Sequence, residues 1–202
     1  LGALAERGYE DLDAVLLTHH HTDHVADLVP LLKARWLAGA DSVPVVGPPG
    51  TGALVEDLLT VHDYLREEVA VETRDVGPGT FDLAGLTVTA RETRHSMTCL
   101  AYRFGDRLAV SGDTEADPDL AAWAAGVEVL VHDCSFPDGV DVSNHPTASQ
   151  LGAALAGHEF GTVYLTHLYP HAAGHEDALA ASVRERYDGA VEVAEDGLTV
   201  EV

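Results

Sequence analysis

Short apolar runs alternate along the chain with segments that are polar or rich in glycine. Runs bounded by turn residues predict strands at 14–17, 43–46, 69–76, 86–91, 100–104, 108–110, 127–131, 162–165, 191–193 and 198–202. Apolar residues spaced three or four apart predict helices at 25–37, 53–65, 120–125, 148–156 and 176–187. Residues 1–7 are predicted to end a helix at Gly8, and Pro30 is expected to perturb the first turns of its helix. This order predicts a mixed α/β fold with interleaved parallel and antiparallel strands.

The chain length and composition predict one globular domain over residues 1–202. Hydrophobic residues make up 46% of the chain, but no run approaches the ~20 apolar residues of a membrane span. The net charge of −23 repels long polyanions, so neither an extended nucleic acid nor a membrane is expected as a partner. Cys99 and Cys134 are too few for a disulfide framework and are typical of a cytoplasmic protein. The sequence begins at Leu1, so this prediction does not extend to a signal ahead of it.

A histidine-rich loop follows the first predicted strand directly. It contains His19, His21, Asp23 and His24, which offer three borderline nitrogen ligands and one hard oxygen ligand. This set suits zinc and the neighbouring first-row metals. A histidine tag is terminal and homopolymeric, whereas this loop is internal and interrupted by Asp23. The loop therefore predicts a metal site.

Further donors recur after later predicted strands. His95 lies beyond the strand at 86–91, Asp113 and Asp133 follow those at 108–110 and 127–131, and His167 follows that at 162–165. A catalytic zinc takes three protein ligands and keeps one position for water. The candidate ligands are His19, His21, Asp23, His24, His95, Asp113 and His167. Seven donors are too many for one ion and match two ions that share a bridging carboxylate.

These motifs, taken in order, resemble those of the metallo-β-lactamase-fold hydrolases. They are His-X-His-X-Asp-His at 19–24, His-Ser at 95–96, Ser-Gly-Asp-Thr at 111–114 and Leu-Thr-His at 165–167. Within that superfamily the chain is similar to the ribonuclease Z-like phosphodiesterases. That similarity is carried by Gly-Pro-Pro-Gly-Thr at 47–51, Val-His-Asp-Cys-Ser-Phe at 131–136, Asn-His-Pro-Thr-Ala at 144–148 and His-Leu-Tyr-Pro at 167–170. The resemblance implies a four-layer αββα sandwich whose N-terminal strands precede Leu1.

The resemblance also implies a role for each candidate residue. One metal would be held by His19, His21 and His95, the other by Asp23, His24 and His167, with Asp113 as the bridge. His145 would stabilise charge on the scissile phosphate or protonate the leaving oxygen. Asp133 would take the place of the family's glutamate and orient His145, with a reach shorter by one methylene. Asp23, His145 and Asp133 form the implied catalytic set, and His20 and Thr22 are expected to point away from the metals.

The implied activity is hydrolysis of a small phosphodiester or nucleotide-like substrate by a hydroxide that bridges two zinc ions, with Mn²⁺ or iron as alternatives. No Gly-rich basic insertion, of the kind that tRNA-processing members use, appears between Gly50 and His95. Two alternatives stay open: a carboxylic ester, lactone or thioester hydrolase on the same fold, and a non-catalytic or redox metal-binding module. His145 favours the phosphodiesterase, because the ester-cleaving branches lack its loop. The resemblance further suggests a homodimer.

Overall fold

The computed structural model describes residues 8–40 and 42–202, so the helix end predicted at 1–7 lies outside the described residues. The chain divides into two compact units. The first contains the residues up to Gly77 together with Leu83–Gly85, and the second contains Pro78–Asp82 and Leu86–Val202. Each unit has its own sheet and its own apolar core. The mixed α/β class is thereby confirmed, and the single-domain assignment stays a prediction.

The first unit is built on a three-stranded parallel sheet in the order β1-β2-β3. Its strands are β1 (Val15–Leu16), β2 (Val43–Gly47) and β3 (Val71–Asp75), and its helices are α1 (Thr22–Val25), α2 (Leu28–Leu37), α3 (Thr51–Val61) and α4 (Asp63–Arg66). The helix predicted at 25–37 is interrupted at Ala26 and Asp27. Pro30 lies in the first turn of α2, where no intrahelical N–H bond is lost. The break at Ala26 and Asp27, just ahead of Pro30, agrees with the perturbation expected in the first turns.

The second unit is built on a seven-stranded sheet in the order β10-β9-β8-β7-β6-β5-β4. Its strands are β4 (Gly79–Leu83), β5 (Leu86–Glu92), β6 (Leu100–Phe104), β7 (Leu108–Val110), β8 (Val129–Asp133), β9 (Thr162–Thr166) and β10 (Val191–Val193). Its helices are α5 (Pro118–Ala124), α6 (Ala148–Leu155) and α7 (Glu176–Arg184). β7, β8 and β9 are parallel neighbours, and β6 is antiparallel to both β5 and β7. Consequently β5, β7, β8 and β9 all have their carboxyl ends at one edge of the sheet.

Two strand predictions differ from the structure. β4 was not predicted, because its apolar face consists of only two half-buried residues, Phe81 and Leu83, and so short an alternation does not stand out in the sequence pattern. The strand predicted at 198–202 does not form, and Leu198, Val200 and Val202 are all exposed. Apolar alternation without a surface to cover does not stabilise a strand. No helix among the described residues is both long and apolar enough to cross a membrane.

Candidate metal centre

The histidine loop of the first unit brings its imidazoles close together. His19 is fully buried, and its Nε2 lies 3.0 Å from Nδ1 of His21. The rings of His19 and His24 have centroids 4.0 Å apart, and Asp23 Oδ2 lies 3.3 Å from His24 Nε2. Nitrogen ligands of a tetrahedral zinc are roughly 3.3 Å apart, given a Zn–N distance of ~2.0–2.1 Å. The donor atoms of the loop therefore converge at a spacing that fits a metal ion.

His20 makes a different set of contacts from its neighbours in the loop. Its Nε2 lies 2.8 Å from Thr51 Oγ1, and the Thr51 hydroxyl donates to the carbonyl oxygen of Pro48 at 2.8 Å. Because that hydroxyl has one proton, His20 Nε2 is the donor to Thr51. Burial lowers the pKa of His20, and Asp75 partly opposes this effect. His20 thus ties the loop to the start of α3.

The backbone amides of the glycine-rich turn before α3 bind a carboxylate of the protein itself. The backbone N–H groups of Gly50 and Gly52 donate to Asp75 Oδ2 and Oδ1 at 2.7 and 3.0 Å. Both bonds lower the pKa of Asp75, and the bond from Gly50 has the larger effect. Amides at a helix N-terminus are a common anion site, but here the anion is Asp75. The turn therefore has a structural role rather than a phosphate-binding one.

In the second unit, the predicted ligands gather at the carboxyl edge of the sheet. Asp113 and His167 follow the parallel strands β7 and β9, and His95 follows β5, which runs in the same direction. Asp113 Oδ2 lies 3.3 Å from His167 Nε2 and 3.8 Å from His95 Nε2. Asp113, His145 and His167 each offer one ligand atom, and these atoms lie within 4.8 Å of one another. A rigid sheet edge thus holds an oxygen donor among imidazoles.

His145 is oriented by a buried carboxylate. Its Nδ1 donates to Asp133 Oδ2 at 2.8 Å, and the Asp133 side chain is fully buried. The same carboxylate accepts the N–H of Thr114 at 3.1 Å and the hydroxyl of Ser135 at 2.6 Å. The missing methylene of Asp133 relative to glutamate therefore does not prevent an ordinary hydrogen bond. With Nδ1–H donated to Asp133, Nε2 is the atom that His145 presents to other groups.

Ser135 is a site residue that the sequence analysis missed. Its hydroxyl donates to Asp133, so its oxygen accepts Nδ1–H of His167 at 2.9 Å. This bond leaves His167 Nε2 directed at Asp113. A partner of this kind fixes the tautomer of a candidate ligand. Two signals were available: Ser135 lies two residues after Asp133, and the ribonuclease Z-like strand end has a hydroxyl residue at the same position.

Glu115 and Asn144 hold His95 in a similar way and were also missed. Glu115 Oε1 accepts the backbone N–H of Asn144 at 3.1 Å. The carbonyl oxygen of Asn144 in turn accepts Nδ1–H of His95 at 3.1 Å. Asn144 has φ +68°, a left-handed conformation. His95 Nε2 is thereby left facing Asp113.

Comparisons with known proteins place this geometry in a family. The profile described as "Beta-lactamase superfamily domain" matches residues 2–168. Ribonuclease Z of Mycobacterium marinum is 31% identical over 96% of this chain and 81% of its own length. The crystal structure of the metallo-beta-lactamase fold protein YhfI from Bacillus subtilis has a TM-score of 0.79 at 25% identity, over 96% of this chain and 79% of that one. The crystal structure of Zn(2+)-bound PqqB from Methylobacterium extorquens has a TM-score of 0.68 at 27% identity, and the match covers 94% of this chain and 71% of that one.

The family match and the local geometry both indicate a metal-binding site. The family profile spans every predicted ligand, from His19 to His167. Asp113, His145 and His167 form a cluster that could hold a divalent metal ion. The chain belongs to the metallo-β-lactamase superfamily, in its ribonuclease Z-like branch.

Proposed function

We propose that this protein is a metal-dependent phosphodiesterase that hydrolyses a small phosphodiester or nucleotide-like substrate. The observation that carries the proposal is the bond between His145 and Asp133, beside Asp113 and His167. Asp133 keeps Nε2 of His145 available and stabilises the imidazolium state of the ring. An imidazole held in this way protonates the oxygen that leaves phosphorus, or stabilises charge on the phosphate. The ester-cleaving branches of this fold lack the loop that carries His145, which favours the phosphodiesterase.

The proposed metal centre has the ligand set that the family resemblance implies. His19, His21 and His95 would hold one ion and Asp23, His24 and His167 the other, with Asp113 as the shared ligand. The convergent imidazoles of the loop support the first set, and the contacts of Asp113 with both His95 and His167 support a bridging role. We assign two zinc ions, with Mn²⁺ or iron as alternatives, because nitrogen donors dominate the set. The ions would supply Lewis acidity and an activated water, and Asp23 would serve as both ligand and catalytic carboxylate.

The reaction class is tested with a panel of substrates. Purified protein loaded with zinc is assayed on bis(p-nitrophenyl) phosphate, p-nitrophenyl acetate and a lactone, and its metal content is measured in parallel. Diester cleavage with weak or absent ester and lactone cleavage is the expected result. Ester cleavage without diester cleavage would favour the carboxylic ester or lactone hydrolase. Two ions per chain without any turnover would favour a binding module, and iron in the protein as first isolated, together with absence of turnover, would favour redox chemistry.

A substitution at His145 separates catalysis from metal binding. His145→Ala is expected to retain both metals and to lose diester turnover by about 10²–10⁴-fold, as for loss of a general acid. Metal content by mass spectrometry and kcat on one diester are the measurements. Asp113→Ala is the matched comparison, because it should lower the content of both ions. Loss of metal from His145→Ala would show that His145 is a ligand, which its distance to Asp113 and His167 permits.

The proposed location is the cytoplasm. Cys99 and Cys134 are fully buried and form no disulfide with each other. Burial raises the pKa of Cys99 to about 11 and that of Cys134 to about 12, so both thiols stay protonated and unreactive. A homodimer is proposed from the family resemblance, and sedimentation velocity of the purified protein measures it.

A further inference from the structure

A cavity of about 380 Å³ lies beside His145, within the second unit. Its wall is formed by Glu115 and Ala116 after β7, Pro118 of α5, Val142 and His145 before α6, and Gln150, Ala153 and Ala154 of α6. Pockets for small molecules usually have volumes of ~300–1,000 Å³. This cavity therefore has room for a substituted ring or a short chain next to the proposed proton donor.

The wall of this cavity carries one carboxylate and no lysine or arginine. Glu115 is held in the wall by its bond from the N–H of Asn144. Arg94, whose backbone carbonyl accepts the N–H of Glu115 at 2.8 Å, has its side chain paired with Asp117 at 3.3 Å and Asp119 at 4.0 Å and does not line the cavity. Apart from His145 and the neutral amide of Gln150, the remaining wall is alanine, valine and proline. An anionic group placed in the part of the cavity away from His145 would face Glu115, and no lysine or arginine among the described lining residues would compensate its charge.

We propose that this cavity receives the leaving alcohol of the phosphodiester, and that Glu115 makes the enzyme select uncharged or cationic leaving groups over anionic ones. This proposal rests on the proposed function. His145 forms part of the cavity wall and is also the proposed donor to the leaving oxygen, so the group attached to that oxygen lies in the cavity. A leaving group that carries a further phosphate or carboxylate is disfavoured. Glu115 is thus a specificity-determining residue, whereas the metal ligands determine the reaction.

The test uses three methyl aryl phosphates of matched shape, with para-aminomethyl, para-hydroxymethyl or para-carboxymethyl phenol as the leaving group. Release of each phenol by the zinc-loaded protein gives kcat/KM. The cationic substrate is expected to exceed the anionic one by about tenfold or more, the size of one partly screened charge contact. Glu115→Gln keeps the oxygen that accepts from Asn144 N–H and removes the charge. It should reduce this cation-to-anion ratio by about tenfold, whatever its effect on the rate with the neutral substrate.

Two further variants make the outcome decisive. Glu192→Gln removes an equal charge from the exposed face of β10 and is expected to leave all three rates unchanged. Ala153→Lys adds a cation to the cavity wall on α6 and should favour the anionic substrate, which gives a readout even if Glu115→Gln is inactive. Unchanged ratios in Glu115→Gln and Ala153→Lys would overturn the proposal while leaving the phosphodiesterase intact. Failure of the wild-type protein to cleave any of the three would instead overturn the proposed function and this proposal with it.

Discussion

Asn144 shows how a single residue conformation supports the site. Its φ of +68° costs little for asparagine or glycine but about 1–2 kcal/mol for a β-branched residue. Its backbone connects Glu115 to His95 through two hydrogen bonds. Asn144→Gly should therefore keep near-wild-type stability and zinc affinity. Asn144→Val should lower the thermal midpoint and, by moving the carbonyl that holds His95, weaken zinc binding.

Thermal unfolding with and without zinc, and competition of each variant with a chromogenic chelator, measure the two effects. Asn144→Gly serves as the control, because it removes the same side chain without the strain. Equal zinc affinity in the valine and glycine variants would show that the Asn144 carbonyl does not position His95.

The sequence predicted the candidate ligands but not the residues that hold them. Imidazoles and carboxylates at strand ends have few other uses, so their chemistry is visible in the residue type. Glu115 and Ser135 are polar residues of a kind found on any surface, and the role of Asn144 is carried by its backbone. Their contacts span up to 49 residues of sequence and depend on strand order. Residue type alone does not contain that information.

At the scale of elements, the packing of α6 against α7 depends on Gly152. A Cβ at this position would lie 2.5 Å from the carbonyl oxygen of Val183 and 3.1 Å from its Cα. Neither backbone atom can move without shifting α7. Gly152→Ala is therefore expected to lower the free energy of unfolding by about 1–3 kcal/mol, although alanine is the better helix former. Urea unfolding followed by circular dichroism measures this change.

Gly52→Ala in α3 is the matched control for the helix effect. Its Cβ would meet only side-chain atoms, with Thr73 Oγ1 at 3.2 Å, and a side chain can adjust. This variant should be near neutral or more stable than the wild type. A Gly152→Ala protein as stable as Gly52→Ala would show that the two helices separate at no cost. This close approach could not be predicted, because a glycine inside a helical pattern does not reveal which element lies opposite.

For the whole molecule, the net charge of −23 and the cavity beside His145 both disfavour substrates that carry several negative charges. Acidic residues outnumber basic ones by 34 to 11, so the field around the protein repels polyanions before any contact forms. Glu115 extends that preference into the cavity beside His145. A small diester with one negative charge loses less to this repulsion than an RNA chain does, and the proposed metal ions would compensate the single charge.

Stability at mildly acidic pH should depend on His132, whose side chain is buried beneath the carboxyl edge of the sheet. Burial lowers its pKa from the usual 6.5, and the bond from its Nδ1 to the carbonyl of Asp133 only partly opposes this. The imidazole of His132 is therefore protonated more readily in the unfolded chain than in the folded protein. The free energy of unfolding consequently falls as the pH drops below about 6.5. His132→Asn keeps a donor and does not titrate, so its metal-free form should lose less unfolding free energy than wild type between pH 7.5 and 5.5, measured with urea in chelator. Parallel pH profiles for the two proteins would assign the acid sensitivity to other groups, such as the candidate ligand histidines.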